Sequence, residues 1–217
     1  MKNANISTVM AILSGQDLGP PVISQLAETE SPDPFLILIA TILSLRTKDE
    51  VTALAAPRLF ALAKTPEEMY ALPEAEIARV IFPVGFYRTK AATIRRVCRE
   101  LIDRFGSRAP DTLEDLLTLK GVGRKTANLV LALGYHQDAI CVDIHVHRIS
   151  NRLGFIRTKT PDESEFALRE KLPRSLWHDY NTLMVAFGRS ICRPVSPFCG
   201  RCPVAAFCDQ VGVTRKR

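Results

Sequence analysis

Leu116-Leu117-Thr118-Leu119-Lys120-Gly121-Val122-Gly123-Arg124-Lys125-Thr126-Ala127 is the stretch that decides the fold. Its left end reads as a short helix, its two glycines as a tight turn, and the residues from Arg124 onward as a second helix. The pattern is a helix-hairpin-helix. Gly121 can take the positive φ that such a turn demands, and Gly123 lets the backbone approach a ligand where the second helix begins. Amide groups and the helix dipole at that point suit a nucleic-acid phosphate and carry no information about base sequence. An ordinary αα turn with a glycine cap would share the two glycines. The cations Lys120, Arg124 and Lys125 around them favour DNA binding.

Lys125 falls in the first turn of the second helix, where a cation opposes the dipole. Two explanations stand side by side. The side chain touches phosphate, or dipole, neighbouring cations and partial burial favour its neutral, nucleophilic form, which could attack a sugar carbon. Further on, Cys141-Val142-Asp143-Ile144-His145-Val146-His147-Arg148-Ile149 passes from an apolar entry through an acid into a new helical pattern. Asp143 is suited to cap that helix. A carboxylate fixed at a helix start and facing a lysine from another helix start would also be oriented to stabilise developing positive charge. His145 is assigned to DNA contact and His147 to packing or a salt bridge.

Of the six cysteines, Cys192, Cys199, Cys202 and Cys208 crowd into the C-terminal segment with the spacing C-x6-C-x2-C-x5-C. Outside the secretory pathway such crowding favours metal ligation over disulfides. A four-cysteine zinc site usually has two CxxC knuckles. Only Cys199 and Cys202 form one here, and the wider outer spacings suit a [4Fe-4S] cube. Cys98 and Cys141 sit in apolar patterns and behave as small core residues.

The rest of the 217-residue chain is apolar at helical spacing, as in Val51, Leu54, Ala55, Leu59 and Leu62. With helix-start signals at Ser31-Pro32-Asp33-Pro34, Thr65-Pro66, Leu72-Pro73 and Thr160-Pro161, it reads as all-α, with about ten helices. Gly134-Tyr135 interrupts a helix and the cysteines are terminal. The expected division is therefore a helical core over 28–135 with the hairpin, and a metal-bearing part over 1–27 and 136–217. A formal charge of +6 suits a polyanionic partner. The longest apolar run, Phe35 to Leu45, falls short of the ~20 residues of a membrane span. Met1 to Leu13 lacks the pattern of a secretory signal. An intracellular, cytoplasmic and nucleoid-associated protein with no membrane partner is expected.

The hairpin, the Val142–Arg148 segment and the cysteine tail, in this order and spacing, resemble the endonuclease III family of helix-hairpin-helix DNA glycosylases with AP-lyase activity, over nearly the full length. The resemblance implies an all-α glycosylase fold, a helical core plus an iron-sulfur cluster domain. It implies Lys125 as the Schiff-base lysine, Asp143 as the catalytic aspartate, and Cys192, Cys199, Cys202 and Cys208 as [4Fe-4S] ligands. Gly121, Gly123, Arg124 and His145 would contact DNA. The implied substrate is double-stranded DNA with damaged pyrimidines or abasic sites, bound by a monomer in base excision repair. Three residues depart from the family pattern, one of them Lys120, which replaces a proline frequent before the GVG turn. Arg46 stands where a glutamine commonly enters the gap left by the extruded nucleotide, and Phe86 where a leucine wedge is often found. A mismatch glycosylase without lyase activity is the nearest rival, and Lys125 argues against it. A zinc-stabilised DNA-binding module is a second, and the pairing of Lys125 with Asp143 argues against that one. A small iron-sulfur electron carrier, the third, would leave most of the chain without a purpose.

Overall fold

The computed structural model describes residues 5–19, 21–27 and 33–217. Among them are twelve α-helices: α1 Ile6–Ser14, α2 Val22–Ala27, α3 Pro34–Ser44, α4 Asp49–Phe60, α5 Pro66–Ala71, α6 Glu74–Ile81, α7 Tyr87–Phe105, α8 Leu113–Thr118, α9 Arg124–Leu129, α10 Ile144–Arg152, α11 Pro161–Lys171 and α12 Trp177–Ser190. No strand occurs among the described residues, and the all-α class holds. The helices outnumber the ten or so that spacing implied. Segments as short as α2 hold less than two turns of periodicity and escape such a count. Residues 22–137 form one compact unit, and the segment up to Pro21 joins Asp138–Arg217 in another. No helix among the described residues is long and apolar enough to cross a membrane.

The unit of residues 22–137 is built around α3. Pro34 at the first helical position and Asp33, whose carboxylate accepts from the Phe35 amide at 2.8 Å, start that helix. Ser31 and Pro32, the other two residues of the expected start signal, lie outside the described residues. Phe35, Ile37, Leu38, Ile39, Ala40, Ile42 and Leu43 are all buried, so α3 is apolar on nearly every side. A helix with that pattern must be surrounded, and α4, α7 and α9 pack against it. Ile94, Val97, Cys98 and Leu101 of α7 complete the core. Burial pushes the Cys98 thiol up to about 12, which leaves it an inert apolar group.

The hairpin closes this unit. Thr112 caps α8, accepting from the Asp115 amide at 3.2 Å, and buried Leu116, Leu119 and Val122 anchor the turn in the core. The Val122 amide donates to Leu119 O at 3.0 Å across the turn. Gly121 has φ +106°, and a β-carbon there would lie 2.7 Å from Thr93 Cγ2. Gly123 then starts α9, with its carbonyl accepting from the Ala127 amide at 2.9 Å. Beyond α9 the chain continues as a buried π-helical turn, Val130–Gly134.

In the other unit α1, capped by Asn5, packs on α12. Val146 and Ile149 of α10, Leu168 of α11, and Trp177, Met184 and Phe187 of α12 share one apolar core with Val9 and Leu13 of α1. Two buried hydroxyls in this core satisfy each other, Tyr180 with Ser150 at 2.9 Å.

Gly121→Ala tests the hairpin turn directly. The substitution meets both a left-handed backbone and the Thr93 methyl, and we expect a loss of about 2 kcal/mol in unfolding free energy from urea titration. A midpoint unchanged from wild type would mean that the turn relaxes at no cost.

Candidate nucleic-acid interface and cysteine pocket

The hairpin presents its polar groups outward because its apolar ones are used inside. Thr126, Ala127, Asn128 and Leu129 are buried on α9, which leaves Arg124 and Lys125 half-buried at the helix start. Lys120 is exposed just before the turn, and its carbonyl accepts from Arg96 Nη2 at 3.2 Å. No atom lies within 4 Å of where a Gly123 β-carbon would stand, so the backbone at Gly123 is open to a ligand. Gly121, Gly123, Arg124 and Lys125 therefore form one cluster on the turn.

Arg46 and Phe86 are brought together in the same unit. The Arg46 guanidinium lies over the Phe86 ring, 5.8 Å from its centroid. Both residues are exposed, Phe86 to 62%, and both have left-handed backbones, φ 51° and φ 57°. A bulky side chain in that region is a genuine outlier. Arg46 follows the end of α3 and Phe86 immediately precedes α7, so each marks a sharp change of chain direction. Their loops touch at Gly85, where a β-carbon would stand 2.6 Å from Arg46 O. Beneath them lies a residue that the sequence reading passed over. Lys90, 7% exposed, donates to Leu43 O at 2.7 Å, Leu45 O at 2.5 Å and Thr47 Oγ1 at 2.9 Å. Burial lowers its ammonium to about 8.

Asp143 and His145 occupy the start of α10. Asp143 Oδ1 accepts from the amides of His145 and Val146, both at 2.8 Å, and the side chain belongs to a residue only 8% exposed. This is the N-cap that the sequence implies. His145 is half-buried, with Nδ1 3.1 Å from Arg148 Nη2. His147 is turned toward α11, its Nδ1 2.6 Å from Ser164 Oγ, in a polar cluster with Asn151 and Thr158. His147 is thus packed through hydrogen bonds, and among the described residues no ion pair engages it.

The other end of α10 holds the cysteine segment. Arg148 donates to Cys192 O at 2.9 Å, and Arg152 donates to Arg193 O at 2.8 Å, Pro194 O at 3.0 Å and Cys192 Sγ at 3.4 Å. Cys192, Cys199, Cys202 and Cys208 all line one pocket, which Ile149, Leu153, Phe187 and Val204 complete with apolar surface. Burial pushes the Cys202 thiol up to about 11, and the charges of Cys192, Cys208 and Cys199 act in the same direction. Four thiols gathered in an apolar pocket need a cation before they can ionise together. Among the described residues no three His, Cys, Asp or Glu close to the spacing of a single metal ion. Four cysteine thiols along one apolar lining are a donor set of the kind that holds a thiolate-bound metal centre. Outside the pocket, Arg193, Arg201 and Arg217 surround the Phe198 ring at 5.1, 4.2 and 4.3 Å from its centroid.

Comparison with known proteins agrees with these features. Residues 39–174 match the family described as HhH-GPD superfamily base excision DNA repair protein. The chain is 48% identical over 177 residues to Endonuclease III of Thermotoga maritima, covering 82% of this chain and 83% of that protein. It superposes with a TM-score of 0.80 on a non-covalent Endonuclease III–DNA complex, at 32% identity over 95% of this chain and 96% of the other. A trapped Endonuclease III–DNA covalent intermediate, an estranged-adenine complex, matches with the same score at 33% identity over 95% and 97%.

The two bonds to Asp143 Oδ1 predict how the cap responds to substitution. Asp143→Asn keeps an acceptor oxygen, so unfolding free energy should stay within about 0.5 kcal/mol of wild type, whereas Asp143→Ala should lose about 1 kcal/mol. Equal losses in thermal or urea unfolding would mean that the charge, not the acceptor, holds the helix start.

Proposed function

The chain belongs to the HhH-GPD superfamily of base excision DNA repair proteins and, within it, to the endonuclease III family, and on that premise we propose that it excises oxidised pyrimidines from duplex DNA and then cleaves the strand 3′ to the abasic site. Its reaction class is that of a DNA glycosylase. The observation that carries the proposal is Lys125, an amine in the first turn of the helix after the GVG hairpin. It stands in a chain that superposes over 95% of its length on an endonuclease III trapped in covalent linkage to DNA.

In this mechanism Gly121, Gly123 and Arg124 hold a phosphate through backbone amides and a guanidinium, fixing the register of the duplex without reading bases. The damaged nucleotide turns out of the stack at a cost of a few kcal/mol. Arg46 and Phe86 fill the gap, the guanidinium offering hydrogen bonds to the base left behind and the ring stacking on it. The Lys125 amine attacks C1′, a C–N bond forms, and the glycosidic bond breaks with its electron pair leaving on the base. Loss of the amine proton and opening of the sugar give a protonated imine, which acidifies the C2′ hydrogen. Removal of that hydrogen expels the 3′ phosphate, and water releases the lysine. Asp143, its carboxyl group oriented by the two cap hydrogen bonds, stabilises the positive charge that builds on the sugar. His145, on the first turn of α10, contacts DNA.

Cys192, Cys199, Cys202 and Cys208 would hold a [4Fe-4S] cluster. Bound there, it supplies four metal–thiolate bonds that fix the cysteine segment. Arg193 and Arg201, held on the Phe198 ring, then stand in position for backbone phosphates. The same reading gives a monomer acting on nucleoid DNA inside the cell.

Borohydride reduction on abasic DNA tests the nucleophile. Lys125→Gln should bind DNA and form no adduct, while Lys120→Gln, before the turn, should lose affinity and keep the adduct. Trapping by Lys125→Gln at wild-type yield would overturn the assignment.

The gap-filling role carries its own expectation. Guanine O6 and N7 are the best-matched acceptors for Arg46, so lesions opposite guanine should be excised preferentially, and Arg46→Gln should flatten the preference. Single-turnover rates on one oxidised pyrimidine opposite each of the four bases measure this. A flat wild-type pattern, or an unchanged one in Arg46→Gln, would make Arg46 a phosphate or structural contact.

A further inference from the structure

Lys90 and Thr47 form a closed polar network between the two loops that carry Arg46 and Phe86. An ammonium has three donors, and Lys90 spends them on Leu43 O, Leu45 O and Thr47 Oγ1. A hydroxyl has one donor and two acceptor sites. Thr47 donates to Leu45 O at 3.3 Å and accepts from Lys90 Nζ at 2.9 Å and from the Gly85 amide at 3.1 Å. Every polar atom of the two side chains is therefore committed. The network spans three pieces of chain: the end of α3, the Arg46 loop, and the Gly85–Phe86 turn that leads into α7.

Its position explains why two strained residues stay where they are. A non-glycine residue in the left-handed region costs of order 1–3 kcal/mol and persists only when its surroundings over-determine it. Arg46 sits between Leu45 and Thr47, both bound by the network, and Phe86 directly follows Gly85, whose amide Thr47 holds. Lys90 is itself on the first turn of α7, where its amide donates to Phe86 O at 2.9 Å. Arg46 and Phe86 thus have no independent freedom of spacing. A β-carbon at Gly85 would stand 2.6 Å from Arg46 O, so the two loops meet closely there, and the hydrogen bond from the Gly85 amide to Thr47 resists their opening.

We propose that Lys90 and Thr47 act as a clamp that fixes the separation of Arg46 and Phe86, making the two side chains one preformed wedge for the gap in duplex DNA. The proposal rests on the reading of Arg46 and Phe86 as gap-filling residues. Neither Lys90 nor Thr47 needs to touch DNA. They are positioning residues, and their effect passes through the exposed pair above them.

The test is a double-mutant cycle on the holoenzyme. Thr47→Val keeps the shape and removes the bridging hydroxyl. We expect it to slow single-turnover excision at saturating enzyme about five- to tenfold, the scale of one or two lost hydrogen bonds, with the Kd for undamaged duplex within about twofold of wild type. Lys90→Met should slow it further. Because the clamp works through the wedge, adding Thr47→Val to Phe86→Ala should cost no more than about a further twofold. Thr47→Val is the decisive variant should Lys90→Met not fold. A slow Phe86→Ala with Thr47→Val at the wild-type rate overturns the clamp and leaves the wedge standing. Full multiplication of the two effects also overturns the clamp. Phe86→Ala and Arg46→Gln both at the wild-type rate overturn the wedge reading, and the clamp falls with it.

Discussion

The turn at Gly121 is the constraint from which the hairpin-bearing unit of this chain follows. A backbone at φ +106° lets α8 end at Thr118 and α9 begin at Arg124, five residues between them, while Leu119 and Val122 stay in the core. Any other residue there would have to move Thr93 or change the turn. With Leu116 of α8 and Ala127 and Leu129 of α9 committed inward, the half-buried positions left at the start of α9 are Arg124 and Lys125. The amine proposed to react, at the turn proposed to hold phosphate, is thus placed by the way the hairpin buries its apolar residues.

In the other unit a single short helix does comparable work. Asp143 caps α10 at one end through two 2.8 Å hydrogen bonds. Arg148 and Arg152, one and two turns on, hold the backbone of Cys192, Arg193 and Pro194. The carboxylate and the first cysteine of the pocket are therefore fixed by the same element. Arg152, buried, and Arg148, half-buried, would also offset the negative charge of a thiolate centre held by these cysteines, which an apolar lining alone would make costly. The chemistry proposed for Asp143 and the architecture proposed for the cluster share this helix.

What could be read from the sequence was local. The GVG turn and the capping aspartate each lie within a few residues and the four cysteines within 17, and turn, cap and spacing rules act over that range. Family resemblance supplied the roles of Lys125 and Asp143, which the residues alone left open. Lys90, Arg148 and Arg152 escaped notice because their partners are distant, Lys90 and Leu43 being 47 residues apart. A lysine in an amphipathic helix looks solvated until the carbonyls that receive it are known. The left-handed backbones of Arg46 and Phe86 were equally hidden, since the usual signal for such a turn is glycine and neither position has it. Strain of this kind is imposed by tertiary contacts, and local sequence does not encode it.

The central claim is that the amine placed by the hairpin is the one that joins the DNA. Tandem mass spectrometry of the borohydride-reduced adduct, after digestion of protein and DNA, identifies that amine without any substitution. The account requires the sugar remnant on Lys125. A remnant on Lys120, on Lys90 or on the N-terminal amine would contradict it.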